Sequence, residues 1–508
     1  MTCSSLALTP RGFGRIHTYW HTLASMHLGH CFFKAIALAT ALVLAPAVAA
    51  RADSLPATVA AALRAADVPT EDAAVLVQQV DARRPVLAHN AGKAMNPASV
   101  MKLVTTLAAL ELLGPTFAWK TELYAAGQRR GDVLEGDLVL RGSGDPKLTV
   151  ENLWLMLRAL RARGLRDIRG DLVLDRSYFE PITQDEASFD NEPLKPYNVL
   201  PDALLVNFKA YSFTFVPDPQ RAAARVTVEP RSSLLAVTSA IALADGPCND
   251  WLARLKAEFN GNAGTGAVVQ ARFSGRYPAS CGEKSWNVAL QSHRDYLLGV
   301  FRQLWEEMGG KLRGSARDGT VPPGANLLLT IKSPALAEVV RDMNKFSNNV
   351  IARQIFLTLS AEITKQPARA ERSFRVVQDW LARQGLDFPE LVLENGSGLS
   401  RIERISAASM GRLLRVAYAS PVMPEFVASM PVVALDGTMK RRMNHRPVAG
   451  RAHIKTGSLA DVSALAGYVL DSAGRRFAVV FIVNHPNAGA TRSAQDALLG
   501  WVYSGRAR

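Results

Sequence analysis

The chain has 508 residues, 48% of them apolar and 20% charged, with 59 Lys and Arg against 45 Asp and Glu. A chain of that length buries more than one hydrophobic core and divides into two or three domains, and the composition excludes a disordered or fibrous protein. The formal charge of +14 suits polyanions, but no basic helix with interleaved aromatics points to nucleic acid.

The first fifty residues carry no acidic side chain and three basic ones, Arg11, Arg15 and Lys34. An apolar run from Ala35 to Ala45 follows Lys34 and gives way to small residues as far as Ala50, the order of a secretory signal peptide that is cleaved on export. A retained membrane span needs about 20 apolar residues, more than this run supplies. Residues 1–25 lie outside that logic, which makes Met26 an alternative start. Loss of the three bases with the presequence lowers the formal charge from +14 to +11, so the mature, periplasmic chain stays basic.

Residues 55–66 read as a short Ala-rich helix and Ala74–Val80 as a strand continuing toward Pro85–Ala88, the opening of an α/β domain. Asn96-Pro-Ala-Ser-Val-Met-Lys102 then leads into a helix over Leu103–Leu113 with a Gly114-Pro115 stop. From about 124 to 287 the pattern becomes short β-like runs separated by Gly, Asp and Pro, with one helix at Leu153–Arg163. This is an inserted β-rich region, expected to form two domains. Within it Gly136-Asp-Leu-Val-Leu140 recurs as Gly170-Asp-Leu-Val-Leu174, two similar strands of one sheet. The cysteines left after export, Cys248 and Cys281, read as a disulfide or as two free buried thiols. From 288 the first domain resumes with helices at Tyr296–Met308, Ala335–Met343, Ser347–Leu359, Phe374–Gln384 and Ala407–Tyr418. Strands at Ala452–Ser458, Ser463–Leu470 and Phe477–Val483 follow as an antiparallel sheet, covered by a helix at Ala490–Val502. The expected division is thus 1–50 presequence, 51–123 and 288–508 one domain, and 124–287 an insertion.

Five histidines remain after export, His89, His293, His445, His453 and His485, none in H-E-x-x-H or close ligand spacing, so neither a metal nor another cofactor is expected. Ser99 and Lys102, three apart at a helix start, share one face. A serine hydroxyl is a poor nucleophile until a base takes its proton. A lysine becomes that base where desolvation or a second cation lowers its pKa. Backbone N–H groups at such a helix start also suit a developing oxyanion. Ser347-Asn348-Asn349, at another helix start, combines a proton-relaying hydroxyl with a carboxamide for a substrate amide. Lys455-Thr456-Gly457, on a strand with Ser458 following, offers a cation and a hydroxyl to a carboxylate and a glycine that lets a peptide lie close. Each element alone is equally a helix cap or a turn.

Together, and in this order, the three motifs resemble the signature of penicillin-recognising serine enzymes. Met95–Lys102, Arg141-Gly-Ser-Gly-Asp-Pro146, the stretch from Pro196-Tyr-Asn-Val199 to Val206, and Glu394-Asn-Gly-Ser-Gly-Leu-Ser-Arg401 make the mature chain similar to class C low-molecular-mass penicillin-binding proteins. That resemblance implies a transpeptidase/β-lactamase-like α/β domain carrying inserted domains, with D-Ala-D-Ala carboxypeptidase and cross-link endopeptidase activity. It also implies peptidoglycan stem peptides as substrates and β-lactams as covalent inhibitors. Carried over, Ser99 is the nucleophile, Lys102 its base and Ser347 a proton relay. Asn349 holds the substrate amide, Lys455 and Thr456 take the terminal carboxylate, and the N–H groups of Ser99 and Ser458 form the oxyanion hole. Arg401 resembles a pocket-lining arginine, and Asp185 is the candidate acidic residue of the insertion for stem recognition. The basic surface suits acidic stems and is compatible with loose association with an anionic membrane surface. A β-lactamase shares the motifs but generally lacks a large insertion, and a non-catalytic penicillin sensor or peptidoglycan-binding module is the alternative of another class.

Overall fold

The computed structural model describes residues 54–261 and 266–507; the expected signal peptide lies outside them. The strand Ala73–Gln79 is apolar at successive positions because both of its faces are covered. Val75 and Val77 enter a core with Val59 and Leu63 of the helix Ala57–Ala65 and with Leu498 and Val502 of the helix Arg492–Tyr503. Ala74 and Leu76 face the opposite way, into a second core built mainly from helices. This strand belongs to a five-stranded antiparallel sheet ordered Ala452–Leu459, Val462–Leu470, Arg476–Asn484, Ala73–Gln79 and Leu87–His89. Residues 85–88, expected to continue the first strand, instead double back after a polar turn, and Leu87 lies opposite Val77.

On the helical side, Lys102–Leu113 is buried around most of its circumference, with Leu103, Val104, Leu107 and Leu110 fully enclosed. A helix that is apolar on all sides belongs in the middle of a core. Leu336–Lys345, Asn349–Thr364, Ala370–Arg383 and Ala407–Ala419 surround it, joined by a two-turn helix, Met423–Ser429, that the sequence pattern does not announce. No helix among the described residues is long and apolar enough to cross a membrane.

The insertion contains two sheets whose apolar faces merge into one cluster. In the first, Val133–Gly142 runs parallel to Leu172–Asp175, with Leu138, Val139 and Leu140 opposite Leu172, Val173 and Leu174. The repeated Gly-Asp-Leu-Val-Leu segments are therefore neighbouring strands in register. A third rung, Ala316–Asp318, pairs in parallel with the second, and Arg317 bridges Asp137 (2.5 Å) and Asp171 (3.2 Å) across the stack. The helices Val150–Ala162 and His293–Glu307 pack together beneath these strands, with Tyr296, Leu297, Phe301 and Trp305 in the inserted core. The boundary expected near 287 therefore moves: the inserted sheet ends with the strand Asn326–Lys332, paired to Lys120–Arg130. Helical periodicity identified His293–Glu307 as a helix but contains nothing about which core it serves.

The second sheet is ordered Leu255–Asn260, Val269–Pro278, Leu235–Ala244, Ala223–Glu229, Tyr211–Asp218 and Lys284–Val288. Cys248 and Cys281 are disulfide-bonded just beyond the ends of the parallel pair Leu235–Ala244 and Val269–Pro278. The 33-residue separation corresponds to about 3–4 kcal/mol in the chain-entropy model. Cys281→Ser should lower the unfolding free energy by about that amount, read by denaturant titration. Acylation at 25 °C should be unaffected, because the bridge lies in the inserted core.

Candidate active site

Ser99 sits in a single 3-10 turn, Ala98–Met101, that feeds directly into the helix beginning at Lys102. Two asparagines fix this turn. Asn96 N–H donates to Asn484 Oδ1 (2.8 Å), Asn484 Nδ2 donates back to the Asn96 carbonyl (2.9 Å), and Ala98 N–H donates to Asn96 Oδ1 (2.9 Å). Ala98 has a left-handed backbone, φ 46°, and turns the Ser99 side chain toward Lys102. Two glycines permit the close approach around it. A Cβ at Gly457 would strike the Pro97 carbonyl and crowd the Ser99 amide, and one at Gly398 would overlap the Ala98 carbonyl.

Lys102 is fully buried, and its Nζ has three neighbours: Ser99 Oγ at 2.9 Å, Asn349 Oδ1 at 2.6 Å and the Ser397 carbonyl. No carboxylate among the described residues lies within ion-pair distance of it. Burial pushes its pKa well below the ordinary lysine value, the Lys455 cation adds to the depression, the buried Glu403 opposes it, and Arg353 lowers it further. Two of the three neighbours can only accept a hydrogen bond. When Nζ is neutral its two N–H bonds therefore serve Asn349 and Ser397, and its lone pair is left for the Ser99 hydroxyl.

The Ser-x-Asn element divides its work in an instructive way. Asn348 caps the helix Asn349–Thr364, its side chain accepting from Ile351 N–H at 2.9 Å. The flanking Ser347 and Asn349 are thereby free for other partners. Ser347, with a left-handed φ of 55°, accepts from Lys455 Nζ at 2.8 Å. Lys455, fully buried, also donates to the Thr456 carbonyl (2.7 Å), and burial lowers its pKa to about 7. The Thr456 and Thr438 hydroxyls lie 2.9 Å apart. Ser458 follows on the exposed rim.

Six of the predicted site residues, Ser99, Lys102, Ser347, Asn349, Lys455 and Thr456, thus converge, with Gly457 between strand and turn. Arg401 stands at the rim instead: its guanidinium lies over the Phe189 ring at 4.5 Å and 3.5 Å from Asp461, in the turn after the Lys-Thr-Gly strand. It ties the insertion to that hairpin and touches none of the six. Asp185 does not join them either. Its carboxylate accepts from Ala187 N–H at 2.9 Å in an exposed loop, and the acidic residue of that loop whose charge faces Arg401 is Asp190.

Sequence reasoning missed Glu403. It is fully buried; Oε1 accepts from the N–H groups of Glu394 (3.1 Å), Asn395 (3.0 Å) and Gly396 (3.2 Å), and Oε2 has no hydrogen-bond partner among the described residues. Burial pushes its pKa up to about 7, against the pull of those N–H bonds. Glu403 therefore holds the loop that presents the Ser397 carbonyl to Lys102. The signal was available only as an acidic residue two positions after Arg401. Phe346, beside Ser347 in the chain, was likewise overlooked; it is 72% exposed.

The fold is that of solved penicillin-binding proteins. The backbone is similar to the crystal structure of penicillin binding protein 4 (dacB) from Haemophilus influenzae, with a TM-score of 0.71 at 23% identity, covering 87% of this chain and 99% of that one. The same protein complexed with a novel β-lactam gives 0.68 at 22% identity over the same shares. In sequence, the chain is 29% identical over 449 residues to a D-alanyl-D-alanine carboxypeptidase of Actinomadura sp. (strain R39), covering 84% of this chain and 80% of that protein. It is 24% identical over 426 residues to the D-alanyl-D-alanine carboxypeptidase DacB of Haemophilus influenzae, covering 82% and 86%. The matching family model is that of a D-Ala-D-Ala carboxypeptidase, a serine-type DD-peptidase. The family profile matches residues 55–504, and the chain belongs to the D-Ala-D-Ala carboxypeptidase 3 (S13) family.

The Glu403 arrangement has a measurable consequence. Glu403→Gln removes a negative charge that raises the Lys102 pKa, so the acid limb of the acylation rate should move to lower pH where it lies above about 7, the range in which Glu403 is ionised. Glu403→Leu, which orphans three N–H groups, should cost ~3 kcal/mol or more of stability. An acid limb unmoved in Glu403→Gln would break the electrostatic link between the two residues.

Proposed function

We propose that Ser99 forms the acyl-enzyme of a periplasmic DD-peptidase acting on D-Ala-D-Ala termini and D-amino-acid cross-links of peptidoglycan, with Lys102 as its base. The observation that carries this is the Lys102 environment: a buried amine whose neutral form has one partner able to donate a proton, Ser99 Oγ at 2.9 Å. Ser99 Oγ attacks the carbonyl carbon of the penultimate D-alanine while its proton passes to Lys102. The N–H groups of Ser99 and Ser458 stabilise the oxyanion, with Gly457 allowing the strand to lie against the turn. Ser347 accepts from Lys455, so as its own proton passes to the leaving nitrogen the Lys455 ammonium replaces it. In deacylation the water's proton returns to Lys455 while Lys102 gives its proton back to Ser99 Oγ. Collapse of the tetrahedral species expels D-alanine or the amine of a cross-link, and water then attacks the ester and restores Ser99.

The Asn349 carboxamide, with Oδ1 engaged by Lys102, directs its N–H groups to the substrate amide. Thr456 and protonated Lys455 receive the terminal carboxylate. A β-lactam presents a carboxylate and a strained amide in similar positions and acylates Ser99 in place of substrate. Export is supported by the Cys248–Cys281 bridge, which belongs in an oxidising compartment.

A fluorescent penicillin should label the mature chain on the peptide containing Ser99, located by mass spectrometry, and Ser99→Ala should abolish labelling without unfolding the protein. Lys102→Ala should slow acylation by about 10²–10⁴-fold. Label elsewhere, or label surviving in Ser99→Ala, would remove Ser99 from this role. Release of D-alanine from a D-Ala-D-Ala peptide distinguishes a peptidase from a sensor that stays acylated.

A further inference from the structure

Beside the Lys-Thr-Gly strand, on the side away from the helix core, a cavity of about 390 Å³ opens, walled by Thr438, Thr456, Ser458, Arg441, Arg492 and Gln495. That volume is within the ~300–1,000 Å³ of small-molecule sites. The cavity begins at Thr456, where the reading above puts the terminal carboxylate of the leaving group, and Thr438 extends the hydroxyl wall outward.

Its outer wall is cationic, and the charge is unspent. Arg442, one residue from Arg441, is engaged: it donates to Asp496 Oδ1 (2.6 Å), Gln495 Oε1 (2.9 Å) and the Arg492 carbonyl (3.1 Å). Those bonds consume the acid of this region and hold the two arginine-bearing segments together. Arg441 and Arg492 are exposed and have no ion-pair or side-chain hydrogen-bond partner among the described residues. Arg176, which lines two further clefts, is by contrast spent on Asp202 and Asp318, both at 2.7 Å. Lys440 adds a third exposed cation on the same turn.

We propose that this cavity is a leaving-strand subsite, in which Arg441 and Arg492 bind carboxylates of an acidic stem peptide departing as the amine of a D-amino-acid cross-link. The proposal rests on the DD-peptidase reading and deepens it. A departing D-alanine ends at the carboxylate on Thr456 and has nothing with which to reach the arginines. A departing stem peptide continues past that point and carries further carboxylates, which a guanidinium can meet in bidentate fashion. The subsite therefore selects cross-link cleavage over trimming of free termini.

The test is the variant Arg441→Gln/Arg492→Gln in the mature protein, assayed on a cross-linked muropeptide dimer, on an N-acylated D-Ala-D-Ala peptide whose terminal carboxylate is its one charge, and for penicillin labelling of Ser99. Dimer kcat/KM should fall about tenfold, mainly through KM, and lose much of its salt dependence, while D-alanine release and labelling stay at the unsubstituted level. Arg441→Lys/Arg492→Lys should recover part of the loss. An equal fall on both peptides, or no fall on the dimer, overturns the proposal. So does loss of binding to phosphatidylglycerol vesicles with dimer cleavage intact, which would assign the arginines to a lipid surface. Absence of labelling in the unsubstituted protein is a separate result and would sink the acyl-enzyme reading itself.

Discussion

The constraint on which the site depends is the removal of the Lys102 amine from water. An ammonium buried without a carboxylate is costly, and the chain can reduce that cost by releasing the proton. The surroundings of Lys102 favour that outcome: full burial, a second buried lysine nearby, and hydrogen-bond acceptors that do not neutralise the charge. Helix Lys102–Leu113 is enclosed by the largest helical core of the domain, so Nζ is fixed relative to Ser99 by many apolar contacts at once. Positioning of this kind converts an ordinary serine and lysine into a poised pair.

Three further parts of the chain converge on that amine. The sheet supplies Lys455 and, through Asn484, the clamp on the Ser99 turn. The loop Glu394–Glu403 supplies the Ser397 carbonyl, held by the inward carboxyl of Glu403. The helix Asn349–Thr364 supplies Asn349 and is also where the insertion docks. Gln354 joins both the N–H and the carbonyl of Asp202, and Arg353 donates to the Asn198 and Val199 carbonyls. The insertion thus supports the element that carries Asn349 from behind, while its Phe189 meets Arg401 at the front.

What the sequence made legible was local. Hydrophobic period identified the helix after Ser99 and the three C-terminal strands, and the motif order pointed to the residues that the fold gathers. The in-register pairing of the two Gly-Asp-Leu-Val-Leu segments was half visible; the third rung at Ala316–Asp318 was not, because its residues do not repeat the motif. The insertion boundary was misplaced since a helix such as His293–Glu307 has the same pattern whichever core it joins. Glu403 was invisible because its importance comes from burial and from three backbone N–H groups, neither of which is written in spacing. Asp185 was chosen only as an acid of the insertion; a turn of chain directs its carboxylate to the Ala187 N–H, and Asp190 faces Arg401.

The account stands or falls on the protonation of Lys102, which can be measured directly. In protein carrying ¹³Cε-lysine, the resonance absent from Lys102→Gln should titrate with a midpoint well below the ordinary lysine value of about 10.4. A midpoint at that ordinary value would mean that burial does not unmask the lone pair, and Lys102 could not be the base that activates Ser99.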